Sequence, residues 1–180
     1  SLPHRPLQDP RPAFWYPGNV DYAGKHRLNT ITAGPPEAVK NAMAHFHAQL
    51  LKPEADWNPG VREPVIGVTL HMYLASSTKA AIARVHQAYP AYHRNLVTLF
   101  KRYDIPFTDP SLGGNTDLAL TLGVLIAAAP EDAIAQIEYL IDETGIEYLT
   151  LSFAWGDLSH QETMDSIRLF AEEVMPHFNR

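Results

Sequence analysis

The chain contains no cysteine, which excludes a disulfide framework and thiolate metal sites and is compatible with a cytoplasmic location. No uninterrupted apolar run approaches the roughly 18 residues that a membrane-spanning helix needs. Residues 1–18 hold five prolines and no apolar segment of the kind a secretory leader requires. Basic residues are outnumbered, 14 lysines and arginines against 20 acids, for a formal net charge of -6. They are also scattered, so the sequence offers neither a basic stripe for nucleic acid nor a polybasic membrane face. Neither a G-x-G-x-x-G turn nor a G-x-S-x-G elbow occurs, so a dinucleotide-binding fingerprint and a serine hydrolase both lack support. Gly113-Gly114-Asn115 lacks the lysine and the preceding strand of a phosphate-binding loop. A small organic molecule is the partner class that survives these exclusions.

What is present is enough for one globular domain: 180 residues, 46% of them hydrophobic. Residues 1–12 form a proline-rich, extended lead-in, in which Ser1-Leu2 reads equally well as a cloning remnant, and 13–180 form a single α/β domain. Phe14-Trp15-Tyr16, between prolines, predicts a short buried strand ending in the turn Pro17-Gly18-Asn19. Leu28 to Ala33 is a second strand. Gly34-Pro35-Pro36-Glu37 then starts a helix carrying Val39, Met43, Phe46 and Leu50 at helical spacing. The run Val65 to Ala75 is apolar enough for a strand covered on both faces.

From 78 to 104 an apolar stripe that includes Tyr89 and Tyr92 predicts two helices, or one kinked at Pro90. A short helix over about 116–123 and another opening at Pro130 and ending at Gly145 follow, and then a strand from Ile146 to Phe153. Ser159 and Glu162 have capping-box spacing at the start of a terminal helix. Strands alternating with helices imply parallel pairing and right-handed crossovers. A closed eight-stranded barrel takes about 250 residues. The pattern therefore favours half of a (βα)8 barrel of about four strands over an open doubly wound sheet.

The two ends, RPLQDPRPAFWYPGN and YLTLSFAWGDLSHQETMDSIRLFAEEVMPHF, resemble the C-terminal half of the bacterial luciferase-like flavin-dependent monooxygenases. PPEAV at 35–39 and PEDAI at 130–134 are similar to helix starts in the same family. The resemblance implies a (βα)8 TIM-type barrel, reduced FMN as cofactor or the deazaflavin F420 in its place, and O2 with a small organic substrate. It also implies that four strands of the full barrel lie outside these residues, so that the chain has little activity alone. The alternative is a non-catalytic half-barrel that self-associates or pairs with a separate N-terminal half, because two open strand edges must be paired or covered.

Carried onto this sequence, the resemblance assigns Gly18, Asn19 and Asp21 to the flavin phosphate, and Ile31 and Ala33 to the floor beneath the flavin ring. A plain strand-ending turn and an ordinary half-buried strand explain the same residues. The chain departs from the family pattern by running straight from Gly18-Asn19 into VDYAGKH. Phe153 and Trp155, at the end of the last strand, either wall a substrate pocket or cover the neighbouring helix. His71, within the long strand, is a candidate for proton transfer or a core histidine. No metal site is expected, since His45 and His47 point to different sides of their helix.

Overall fold

A computed structural model describes residues 7–9, 11–106 and 111–178. The order along the chain is α1 (Val20–Lys25), β1 (Thr30–Thr32), α2 (Pro36–Leu50), β2 (Ile66–Leu74), α3 (Thr78–Arg102), a 3-10 turn (Leu112–Gly114), α4 (Thr116–Thr121), β3 (Leu125–Ala128), α5 (Pro130–Thr144), β4 (Leu149–Ser152), α6 (His160–Leu169), a π-helical turn (Phe170–Val174) and α7 (Met175–Phe178). Four strands form a parallel α/β sheet, with helices between them. Ser1-Leu2 and part of the lead-in lie outside the described residues. No helix among the described residues is long and apolar enough to cross a membrane.

The chain divides into two compact units, residues Ser1–Thr69 with Thr144–Thr150 and residues Leu70–Glu143 with Leu151–Arg180. In the first, β1 lies parallel to the start of β2, with Thr30 opposite Ile66 and Thr32 opposite Val68. Helix α1 is capped by Asn19, whose side chain accepts from the Tyr22 amide. It packs on α2 around Ala23, Leu28, Phe46 and Ile66. Gly24 permits that approach: a Cβ there would lie 2.7 Å from the Phe46 carbonyl oxygen.

The aromatic segment departs from the expectation of a buried strand. Residues 14–16 make a single parallel bridge, Trp15 to Asn29, and Phe14, Trp15 and Tyr16 are 50%, 37% and 42% exposed. Four residues between Pro12 and Pro17 are too few to carry a longer ladder. Asn58, itself buried, holds the segment by accepting from the Phe14 amide and donating to its carbonyl at 2.8 and 2.9 Å.

In the second unit, β3 lies parallel to the end of β2, from His71 opposite Leu125 to Leu74 opposite Ala128. This strand was not foreseen. Its four residues are all buried, and so short an apolar run has no period of its own. Helix α3 continues through Pro90 as one helix. It packs Val85, Ala88 and Tyr89 against Tyr73, Leu125, Ala127 and Trp155. The terminal helix opens with the complete Ser159–Glu162 capping box. Buried Ser166 on α6 accepts from the Leu74 amide at 2.8 Å, tying the helix to the end of β2.

Candidate functional site

The second unit brings two of the sequence-derived candidates together. His71 leaves β2 toward α3, and its ring meets Tyr92 at 4.6 Å, Trp155 edge-on at 5.5 Å and Tyr89 edge-on at 6.2 Å. Trp155 is held by its indole N–H, which donates to the Met72 carbonyl at 3.3 Å. It also packs on Tyr89 of α3, so it walls the histidine and covers the helix at once. Of the two alternatives for this residue, the packing on the neighbouring helix is what the ring contacts show.

The imidazole is half-buried, and no described residue hydrogen-bonds to either of its nitrogens. Burial pushes its pKa down from 6.5 to about 4, so it is neutral at physiological pH. A neutral imidazole keeps one donor and one acceptor. Phe153 is not part of this cluster: its ring packs on Phe170 of the π-helical turn, 5.6 Å away. Tyr89 and Tyr92 were legible only as members of a helical stripe.

In the first unit, Gly18 has φ of 96° and nothing within 4 Å of where a side chain would begin, which leaves the turn open. Helix α1 behind it has six residues. The Asn19 oxygen is occupied by the Tyr22 amide at 2.9 Å. Asp21 places a carboxylate in the first turn and sits 3.4 Å from both His45 and Gln49. A short helix with its cap engaged and an acid in its first turn is a poor anion site, so these residues do not fit a flavin phosphate on their own. Ile31 is half-buried on β1, and Ala33 is exposed just beyond its C-terminal end. Their apolar character is compatible with a ring floor.

A separate cavity of about 600 Å³ lies in the same unit, lined among others by Arg27, Met43, His47, Arg62 and Glu147. Arg27 there is already committed, donating to the Arg62 carbonyl at 2.9 Å and pairing with Asp56 at 3.3 Å. The sequence reading had not singled it out. Among the described residues, no cluster of acids and histidines could hold a metal ion.

Solved structures supply the comparison. The chain matches a monooxygenase, RslO1, from Streptomyces bottropensis with a TM-score of 0.73 and 20% identity, over 98% of this chain and 51% of that one. It has the luciferase-like fold, in half. The oxygenating constituent of 3,6-diketocamphane monooxygenase from Pseudomonas putida, solved with FMN, matches at a TM-score of 0.67 and 15% identity, over 92% of this chain and 48% of that one. The coenzyme F420-dependent tetrahydromethanopterin reductase of Methanopyrus kandleri matches at 0.61 and 15% identity, over 93% and 51%. The luciferase-like half-fold thus spans about half the length of these proteins. No family model and no curated protein matches the sequence.

Proposed function

We propose that this chain is the C-terminal half of a luciferase-like flavin- or deazaflavin-dependent oxidoreductase barrel, acting on a small organic substrate with O2. The observation that carries the reading is the match of nearly the whole chain to half of a monooxygenase. His71, Tyr92 and Trp155 would contribute a substrate wall. His71 would act there as a neutral hydrogen-bonding group, since a pKa near 4 leaves it a weak base. Ile31 and Ala33 would lie under the ring of the cofactor. The phosphate would have to be held by groups beyond Gly18, Asn19 and Asp21, because those three do not fit it. Little monooxygenase turnover is expected from these 180 residues alone.

Titration of the purified chain with FMN and with reduced FMN, read by calorimetry, tests this. Weak or no binding that becomes tight when an N-terminal barrel half is supplied supports a split site. Tight binding by the chain alone would refute the misfit at the Gly18-Asn19 turn, and Asn19→Ala would then show whether the turn is the contact. No binding in either case would refute the flavin reading.

A second reading is a half-barrel that pairs without catalysing, because open strand edges must be paired or covered. It requires only a partner strand.

A further inference from the structure

Trp155 sits on the turn between β4 and α6, and one face of α3 holds that turn. Arg84, half-buried on α3, donates through Nη1 to the Asp157 carboxylate at 2.9 Å and through Nη2 to the Asp157 carbonyl at 3.0 Å. One helical turn further on, the Ala88 carbonyl abuts Gly156, where a Cβ would lie 2.2 Å from its oxygen. The Asn95 side chain donates to the Gly156 carbonyl at 3.3 Å. Spacings of four and seven residues place Arg84, Ala88 and Asn95 on a single stripe of the helix.

The same guanidinium reaches α6. Its Nε donates to Glu162 Oε1 at 2.5 Å and its Nη2 to Oε2 at 3.3 Å. That carboxylate also accepts from the Ser159 amide at 2.8 Å and the Ser159 hydroxyl at 2.7 Å, so it cannot follow a moving turn without giving up the cap of α6. Only a planar fork binds a carbonyl and two carboxylates from one side chain. Trp155 itself is held more lightly. Beyond its ring packing, its side chain makes one hydrogen bond among the described residues, the 3.3 Å contact to the Met72 carbonyl.

We propose that Arg84 is a positioning residue of the His71 cluster: by joining Asp157 to Glu162 it fixes the 155–158 turn and so keeps Trp155 closed against the His71 imidazole. This rests on the reading of that cluster as a substrate wall, and it names the residue outside the wall that sets its shape. Gly156 follows Trp155 directly, at φ of 65°, so a displaced turn carries the indole off the histidine. Water then reaches the imidazole, and charging it becomes less costly. Arg84 acts here through Trp155, since burial and not a neighbouring charge is what disfavours the charged form of His71.

NMR titration of the His71 ring, together with hydrogen exchange at the Trp155 indole N–H, tests the proposal in the unliganded chain. Arg84→Met keeps the apolar stem and removes the fork. The His71 titration should rise from about 4 to about 5 or above, and indole exchange should speed up about tenfold or more. Arg84→Lys keeps the charge but cannot span both acids, and should move both readouts in the same direction; it carries the test if Arg84→Met does not fold. Asn58→Leu, in the first unit, is the control for lost stability and should move neither. Unchanged readouts in folded Arg84→Met would overturn the proposal. So would unchanged readouts in Arg84→Lys, which would assign the role to charge alone, or an equal change in Asn58→Leu, which would assign it to general loosening. Flavin titration is a separate readout: its failure removes the substrate wall but not the Arg84 effect on His71, and a failed Arg84 effect leaves the flavin reading standing.

Discussion

His71 should make folding stability fall with pH in a defined window. Its pKa in the folded chain is about 4 against an ordinary 6.5, with burial as the cause. Above pH 6.5 neither state binds this proton, and the full stability is present. Between 6.5 and about 4 the unfolded chain takes up a proton that the folded chain refuses, so stability is lost as pH falls. Each pH unit of separation is worth about 1.4 kcal/mol. Between pH 7.5 and 4.5 the loss attributable to His71 is therefore about 2–3 kcal/mol. Its ring neighbours are Tyr89, Tyr92 and Trp155, and none of these side-chain types titrates in that window. His71→Phe keeps an aromatic ring in the same walls and removes the titration. Urea unfolding of both proteins at the two pH values isolates the effect, since every other group is common to them. The variant should lose about 2–3 kcal/mol less on acidification. An equal loss in the two proteins, or a native-state His71 titration near 6.5 by NMR, would refute the account of burial. Glu162, whose carboxyl is held down to about 2 chiefly by the Arg84 guanidinium, adds a further loss only at lower pH, between its ordinary value of 4.5 and about 2.

Three other substitutions probe the same framework. Gly156→Ala places a Cβ 2.2 Å from the Ala88 carbonyl oxygen at φ of 65°, and should cost about 2–4 kcal/mol in denaturant unfolding; a change below about 1 kcal/mol would mean that α3 readily shifts away. Ser159→Ala removes the side chain that accepts from the Glu162 amide and should cost about 1 kcal/mol, and an unchanged midpoint would show the terminal helix to be held by packing alone. Asn58→Leu strips the Phe14 amide of its acceptor, so a loss of about 1–3 kcal/mol is expected together with faster exchange at that amide; unaltered exchange would mean that Asn58 does not fix the aromatic segment.

Legibility in the sequence followed the range of the interaction involved. Helix boundaries rest on groups a few residues apart, and so the prolines before α2, the Ser159–Glu162 box before α6 and Gly145 after α5, at φ of 71°, stand where the sequence puts them. The nine-residue strand β2, buried along most of its length, was equally plain. The alternation of strands with helices, the length of 180 residues and the two end motifs carried the half-barrel architecture. The candidate site was legible only in its parts. His71 stood out within its strand and Trp155 just beyond the end of the last one, but nothing in the sequence said that they face each other or that Phe153 does not join them. The phosphate assignment to Gly18, Asn19 and Asp21 came from resemblance, and the local geometry of the cap and the first-turn acid speaks against it.

The sequence by itself determined the starts of α2 and α6, the end of α5, the long strand β2 and the absence of disulfides, because these depend on composition and on backbone preferences within a few residues. Only the tertiary structure decided that Phe14-Trp15-Tyr16 is exposed, that Leu125–Ala128 is a strand, and that the His71 imidazole is neutral among aromatic rings. The physical reason is common to the three. Burial, strand pairing and desolvation are set by what distant segments bring to a residue, and a periodicity read along one segment carries no record of its neighbours.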